Sequence, residues 1–232
     1  MATLSWLDLI WCCIPVILVC SIYIYWADSP REVIYASLRM TIQLVAVGYV
    51  LISIFENPSP LISAFIVSIM LAVAAWISIR PVRQHNIIIP AVTALGLSVG
   101  LHLCITIFLV LKIPTWYEPK ILIPIAGMFF ANSMNSISLA AERFFSELEN
   151  NNLQQAKLTA FKAAMIPQIN GLLAVGLVAL PGMMTGQILS GVSPLIAVRY
   201  QIVIMTMILG TTGLGAAIIL HLLARKAARA ST

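Results

Sequence analysis

Seven long apolar runs restrict the fold of this chain more than any other feature: Leu4–Trp26, Val33–Phe55, Leu61–Ile79, Ile87–Leu111, Ile121–Leu139, Ile166–Leu189 and Ile202–Leu223. A helix rises about 1.5 Å per residue, so about 20 apolar residues reach across the hydrocarbon of a bilayer. Inside hydrocarbon every backbone N–H and C=O must find its partner within the protein, which makes helices of runs like these. Turn-forming sequences separate most of them: Ser29-Pro30, Asn57-Pro58-Ser59-Pro60, Arg80-Pro81, Pro114 with Pro119, and Gly191 to Pro194.

Composition agrees with this pattern. Apolar residues make up 61% of the chain and charged residues 9%, where a soluble domain carries about 25% charged residues. So few charges cannot solvate a water-facing surface, and most of the outside must meet lipid. The chain is expected to be an all-α integral membrane protein of about seven transmembrane helices, forming one transmembrane domain over residues 1–232. Leu4–Trp26 is too long for the apolar core of a cleavable signal and is expected to be retained as a span.

The net charge of +5 sits in short loops, not on one face, which argues for a topology signal and against nucleic acid. With the amino terminus outside, the inner segments hold Arg31, Arg39, Arg80, Arg83, Arg143, Lys157, Lys162, Arg225, Lys226 and Arg229, and the outer ones only Lys112, Lys120 and Arg199. This asymmetry predicts an outer amino terminus and a cytoplasmic carboxyl terminus. Cys12, Cys13, Cys20 and Cys104 all lie in apolar runs without a C-x-x-C pair, so packing is expected of them, not metal binding or disulfides.

Ala140–Met165 is longer and more charged than a connector between spans needs to be. It reads as two short amphipathic helices broken at Asn150-Asn151-Asn152. Phe144 and Leu148 share one face, and Leu158, Phe161 and Met165 recur at helical spacing. A surface helix on lipid headgroups and a docking element for a cytoplasmic partner are both open readings. Within the membrane, Pro181-Gly182 interrupts the sixth run; broken backbone there is tolerated only where protein or a water-filled cavity satisfies it. The fifth run carries Asn132, Ser133, Asn135, Ser136 and Ser138, either as interhelical glue or as the lining of a pathway.

Gly96-Leu97-Ser98-Val99-Gly100, with His102 beyond it, matches the G-x-S-x-G of serine hydrolases. That chemistry needs a strand-to-helix elbow and an orienting acid, whereas this match lies inside a predicted helix. The same residues spell G-x-x-x-G, a helix-packing surface, which is the expected role. No Walker A loop is present, so ATP hydrolysis by a P-loop mechanism would belong to a separate protein.

Several segments resemble the FetB-type permease family. Arg39-Met40-Thr41-Ile42-Gln43-Leu44 with Val47-Gly48-Tyr49-Val50-Leu51 resembles its second span, and Pro124-Ile125-Ala126-Gly127-Met128 with Asn132-Ser133-Met134-Asn135 its fifth. Gly176 through Ile188, with Pro181-Gly182-Met183-Met184-Thr185-Gly186-Gln187 at its centre, is the longest match, and Tyr200-Gln201-Ile202 closes the series. The family comprises membrane subunits of ATP-binding-cassette (ABC) transporters; bacterial members are associated with iron export, plant relatives with aluminium tolerance and UDP-glucose transport. The resemblance implies a permease homodimer in the cytoplasmic (inner) membrane, embedded in lipid. It also implies a cytoplasmic ATP-binding partner that carries ATP and Mg, with no cofactor in this chain. One departure is that Glu149 to Ala156 stands where the family usually has an Ala-Leu-Gly-Ala-Thr-like turn, and the loop is about one helical turn shorter. Ala131 also replaces a glycine common in the family's fifth span.

The expected function is therefore that of a non-enzymatic permease subunit, exporting a metal ion such as iron. The candidate pathway residues are Asn132, Asn135, Met128, Met183, Met184 and Gln187. The candidate partner-coupling residues are Phe144, Leu148, Phe161, Glu142 and Arg143. Thioethers favour soft metals and amide oxygens harder ones, so this set does not identify the metal. A self-sufficient channel or secondary transporter, or an ABC permease for another small solute such as a nucleotide sugar, is the alternative. Channels and secondary transporters tend to place acids on their ion path, whereas the acids here cluster in loops.

Overall fold

The computed structural model describes residues 5, 7–26 and 29–230. Its helices are α1 (Cys13–Trp26), α2 (Arg31–Glu56), α3 (Pro60–Ser78), α4 (Ile88–Cys104), α5 (Pro119–Leu148), α6 (Leu153–Ala174), α7 (Gly182–Leu189) and α8 (Pro194–Ala230). Among the described residues, six stretches are long and apolar enough to cross a membrane: Asp8–Trp26, Arg31–Glu56, Pro60–Ser78, Ile88–Val110, Pro119–Leu148 and Pro194–Arg229. They correspond to six of the seven expected spans, although Leu4, at the start of the first, lies outside the described residues. The protein is a multi-pass helical membrane protein.

The remaining expected span, Ile166–Leu189, is not one helix. Helix α6 ends at Ala174, and α7 begins at Gly182. The chain leaves the helix at Val175, earlier than the Pro181-Gly182 pair suggested, because Gly176 takes φ 87°. An L side chain rarely adopts that conformation and glycine does so freely. The segment satisfies part of its own backbone: Val178 and Ala179 N–H both donate to the Ala174 carbonyl, at 2.9 and 3.1 Å, and Gly176 N–H donates to the Ala179 carbonyl at 3.0 Å. Pro181 then caps α7.

The chain forms two compact units, Met1–Asn57 and Pro58–Thr232. In the first, α1 and α2 pair with each other and bury no residue. Apolar helices with no buried residue need lipid or protein around them. The lead-in to α1 is fixed by the Asp8 carboxylate, which accepts from the Ser5 backbone N–H at 2.8 Å and from its hydroxyl at 2.9 Å.

In the second unit α5 packs against α3, α4, α6 and α8. Its inward stripe of Phe129, Ile137, Ala140, Ala141 and Phe144 is wholly buried. Helix α6 meets the others through Ala156, Ala160 and Ala164, one helical turn apart and all buried, a small-residue stripe that lets backbones approach. The Gly96–Gly100 pair does not play that part: a Cβ at Gly96 would only touch Leu71 at 3.7 Å, and one at Gly100 would meet nothing within 4 Å. Close approach occurs on α8 instead. A Cβ at Gly210 would collide with the His102 imidazole, and one at Gly215 would lie 3.2 Å from the Ser98 hydroxyl.

Contacts at the two ends fix which segments share a side. His85, in the turn between α3 and α4, stacks on Phe145 of α5, and Lys226 of α8 donates to the carbonyls of His85 at 2.8 Å and Asn86 at 3.1 Å. At the opposite end the Ser63 hydroxyl of α3 donates to the Tyr117 carbonyl ahead of α5 at 2.7 Å.

Candidate functional site

Helices α5, α6, α7 and α8 leave a cleft between them that is lined in part by polar side chains. One chamber, of about 420 Å³, is lined by Asn132, Asn135, Ser136, Ser138 and Leu139 of α5, by Ala164, Pro167 and Gln168 of α6, and by Thr212 of α8. A second, of about 250 Å³, shares Asn132, Pro167 and Gln168 with the first, and Met128, Met183, Gln201 and Met205 are among its other lining residues. The shared residues make the two chambers neighbours along one cleft.

Local helix chemistry explains how these groups are presented. Gln168 is the next step of the α6 stripe after Ala156, Ala160 and Ala164, so the packing that buries the alanines carries the amide to the cleft. Pro167 beside it has no N–H to donate to the carbonyl four residues back. The hydroxyl protons are spent on backbone: Ser136 donates to the Thr212 carbonyl at 3.4 Å, Ser138 to that of Ser78 at 2.8 Å, and Thr212 to that of Ile208 at 2.8 Å. Asn132 likewise spends one amide hydrogen on the Met128 carbonyl, at 2.8 Å. Oxygen lone pairs are what the three hydroxyls have left to offer, and Asn132 keeps its amide oxygen and a second N–H. Gln201 is 5% exposed, and its Oε1 has no hydrogen-bond partner. Among the described residues lining either chamber, none is charged, and no group of three or more His, Cys, Asp or Glu side chains is placed to hold a metal.

Of the candidate pathway residues, Asn132, Asn135, Met128 and Met183 line the cleft. Met184 and Gln187 lie outside that lining, both half-buried, and Gln187 Oε1 is buried without a partner. Sequence reasoning missed Gln168, Gln201, Met205 and Thr212. The alanine stripe ending at position 164 could have pointed to Gln168; for Met205 and Thr212 no sequence signal singles them out from the surrounding span.

The Ala140–Met165 segment is a hairpin formed by the ends of α5 and α6, not two short free-standing helices. Phe144 is therefore not an outward anchor: it is wholly buried, because α5 continues without a break and keeps Phe144 on the same face as Ile137 and Ala141. Leu148 and Phe161 are half-buried against the same core. Glu142 and Arg143 are exposed, and Arg143 pairs with Glu147. Local hydrogen bonds close the tip. Glu147 accepts from the Asn151 amide at 2.7 Å, and Asn152 caps α6 by accepting from the Gln155 N–H at 2.9 Å. Leu158 is an exposed apolar side chain on this hairpin.

Ser98 is buried in the middle of α4, where its hydroxyl donates to the Ala94 carbonyl at 2.7 Å. The ring Nδ1 of His102 lies 2.8 Å from the Ser98 carbonyl oxygen, not from its hydroxyl.

Comparisons with known proteins place this architecture among others. Residues 6–228 match the model of the family described as "Uncharacterised protein family (UPF0014)". The chain is 35% identical over 202 residues to UPF0014 membrane protein slr1647 of Synechocystis, covering 79% of this chain and 78% of that one. It is 30% identical over 213 residues to the "Probable iron export permease protein FetB" of Escherichia coli, covering 84% and 81%. It is 33% identical over 199 residues to protein ALUMINUM SENSITIVE 3 of Arabidopsis thaliana, covering 77% and 71%. No solved structure matches.

Proposed function

We propose that this chain, which belongs to the UPF0014 family of membrane proteins, is the membrane-spanning permease subunit of an inner-membrane ABC transporter that exports a metal ion. Iron is the cargo named for the Escherichia coli relative. The observation that carries the reading is the uncharged, partly polar cleft between α5, α6, α7 and α8, contiguous through Asn132, Pro167 and Gln168. Amides and hydroxyls inside an apolar bundle serve as interhelical glue or line a path, and the open space beside Asn132, Asn135 and Gln168 favours the path.

ATP and Mg would be held by a separate cytoplasmic subunit, since this chain has no Walker A loop. The α5–α6 hairpin is the element suited to receive that subunit's motion. Its tip is closed by local hydrogen bonds, and its two arms are two of the helices that line the cleft, so a push on the tip would move the cleft walls. The basic asymmetry of the loops puts the hairpin in the cytoplasm. Two copies of the chain would face two ATP-binding subunits.

The test is purification of the tagged chain with its candidate ATP-binding subunit, followed by reconstitution into vesicles. A stoichiometric complex that moves a metal ion only when ATP is hydrolysed is the expected result. Transport by this chain alone, without an ATPase, would replace the ABC reading with that of a channel or secondary transporter.

A further inference from the structure

We infer that the smaller chamber of the cleft is a binding site for a soft, singly charged metal ion of the Cu(I) or Ag(I) class. Three methionines from three different helices line it: Met128 of α5, Met183 of α7 and Met205 of α8. Thioether sulfur binds soft cations and is a poor ligand for hard ones. Gln201 and Gln168 line the same chamber and are 5% and 9% exposed. The Gln201 Oε1 has no hydrogen-bond partner. A buried carbonyl oxygen without a donor costs free energy, and a bound cation supplies the missing positive charge. Asn132 adds a further amide oxygen, because its NH₂ is directed to the Met128 carbonyl.

Charge separates this class of ion from others. None of the lining residues is acidic. A divalent or trivalent hard ion taken from water into such a chamber would keep its full charge uncompensated at a large desolvation cost. A singly charged soft ion loses less hydration and gains sulfur ligands. At about 30 Å³ per water, a chamber of about 250 Å³ also leaves room for an ion that retains part of its water shell.

For its place in transport this inference rests on the permease reading, and it shifts the cargo from iron toward softer ions; the binding itself is measured without the ATPase. The full chain, with its four cysteines changed to alanine so that no thiol competes, is titrated with Ag(I) in detergent against a competing chelator. One tight site per chain is expected. The combined variant Met128→Leu, Met183→Leu, Met205→Leu keeps side-chain volume and should lose affinity by more than about a hundredfold, since even outer-shell partners of a metal site are worth about 10–100-fold. Met184→Leu, outside the chamber, should bind like the parent and shows that loss of a thioether as such is not the cause. Elution as a single species checks that each variant is folded. Equal binding by parent and triple variant, or no binding by either, overturns the site and leaves the methionines as packing. Competition by Fe(II) at equal concentration overturns the preference for soft ions. Failure of ATP-coupled transport of every metal overturns the permease reading and leaves the Ag(I) titration standing by itself.

Discussion

The imidazole of His85 lies flat against the ring of Phe145, with centroids 3.7 Å apart and planes 5° from parallel. This stack joins the turn between α3 and α4 to the arm of the α5–α6 hairpin, and Lys226 ties the same turn to α8. On the proposed permease reading, these contacts would pass motion of the hairpin to the helices on both sides of it. An aromatic pair is worth about 0.5–1.5 kcal/mol beyond its buried area. Phe145→Ala should lower the melting temperature slightly and reduce cargo moved per ATP hydrolysed, while Phe145→Tyr should keep both. Unchanged coupling in reconstituted vesicles would show that the stack takes no part in transmitting the motion.

If an ATP-binding subunit docks on the hairpin as proposed, its docking should depend on side chains that face out of the hairpin. Leu158→Asp should release the partner in pull-down while the chain still inserts. Phe144→Asp has a different expected outcome, because that side chain is wholly buried and an unpaired buried charge costs several kcal/mol. It should abolish accumulation of the chain itself. A partner retained by Leu158→Asp would move the docking surface elsewhere.

Gly210 faces the His102 ring, with no room for a methyl group between them. Gly210→Ala should destabilise the bundle by about 1–3 kcal/mol, the usual cost of overpacking. Pairing it with His102→Ala should recover most of the loss. Thermal unfolding in detergent of the two single variants and the double variant decides this. Additive losses would show that the ring is not the obstacle.

The sidedness of the ends is open to direct labelling. On a background without Cys12, Cys13, Cys20 and Cys104, cysteines at Ser59 and Thr115 should react with an impermeant thiol reagent added to intact cells. Cysteines at Ser146 and Asn151 should react only after the membrane is opened. The reverse pattern would invert the orientation inferred from the basic loops.

The sequence by itself determined that this chain lies in a membrane as a set of helices, and nearly where most of them begin and end. Spanning is a local property, since twenty adjacent apolar residues satisfy it without reference to the rest of the chain. It counted residues 166–189 as a seventh span interrupted at Pro181-Gly182, whereas α6 stops at the extended Val175, just ahead of Gly176. Only the tertiary structure decided which way the helix faces turn. Phe144 looked like an outward anchor while its segment was taken for a surface loop. It is core because α5 runs through the hairpin unbroken and holds it in line with Ile137 and Ala141. The cleft was legible in part, through Asn132, Asn135, Met128 and Met183. Its other walls, Gln168, Gln201, Met205 and Thr212, come from helices far apart in the chain. Their rotation is fixed by contacts such as the alanine stripe of α6 and Gly210 against His102. Periodicity gives the face of one helix relative to itself; only packing against its neighbours gives what that face meets.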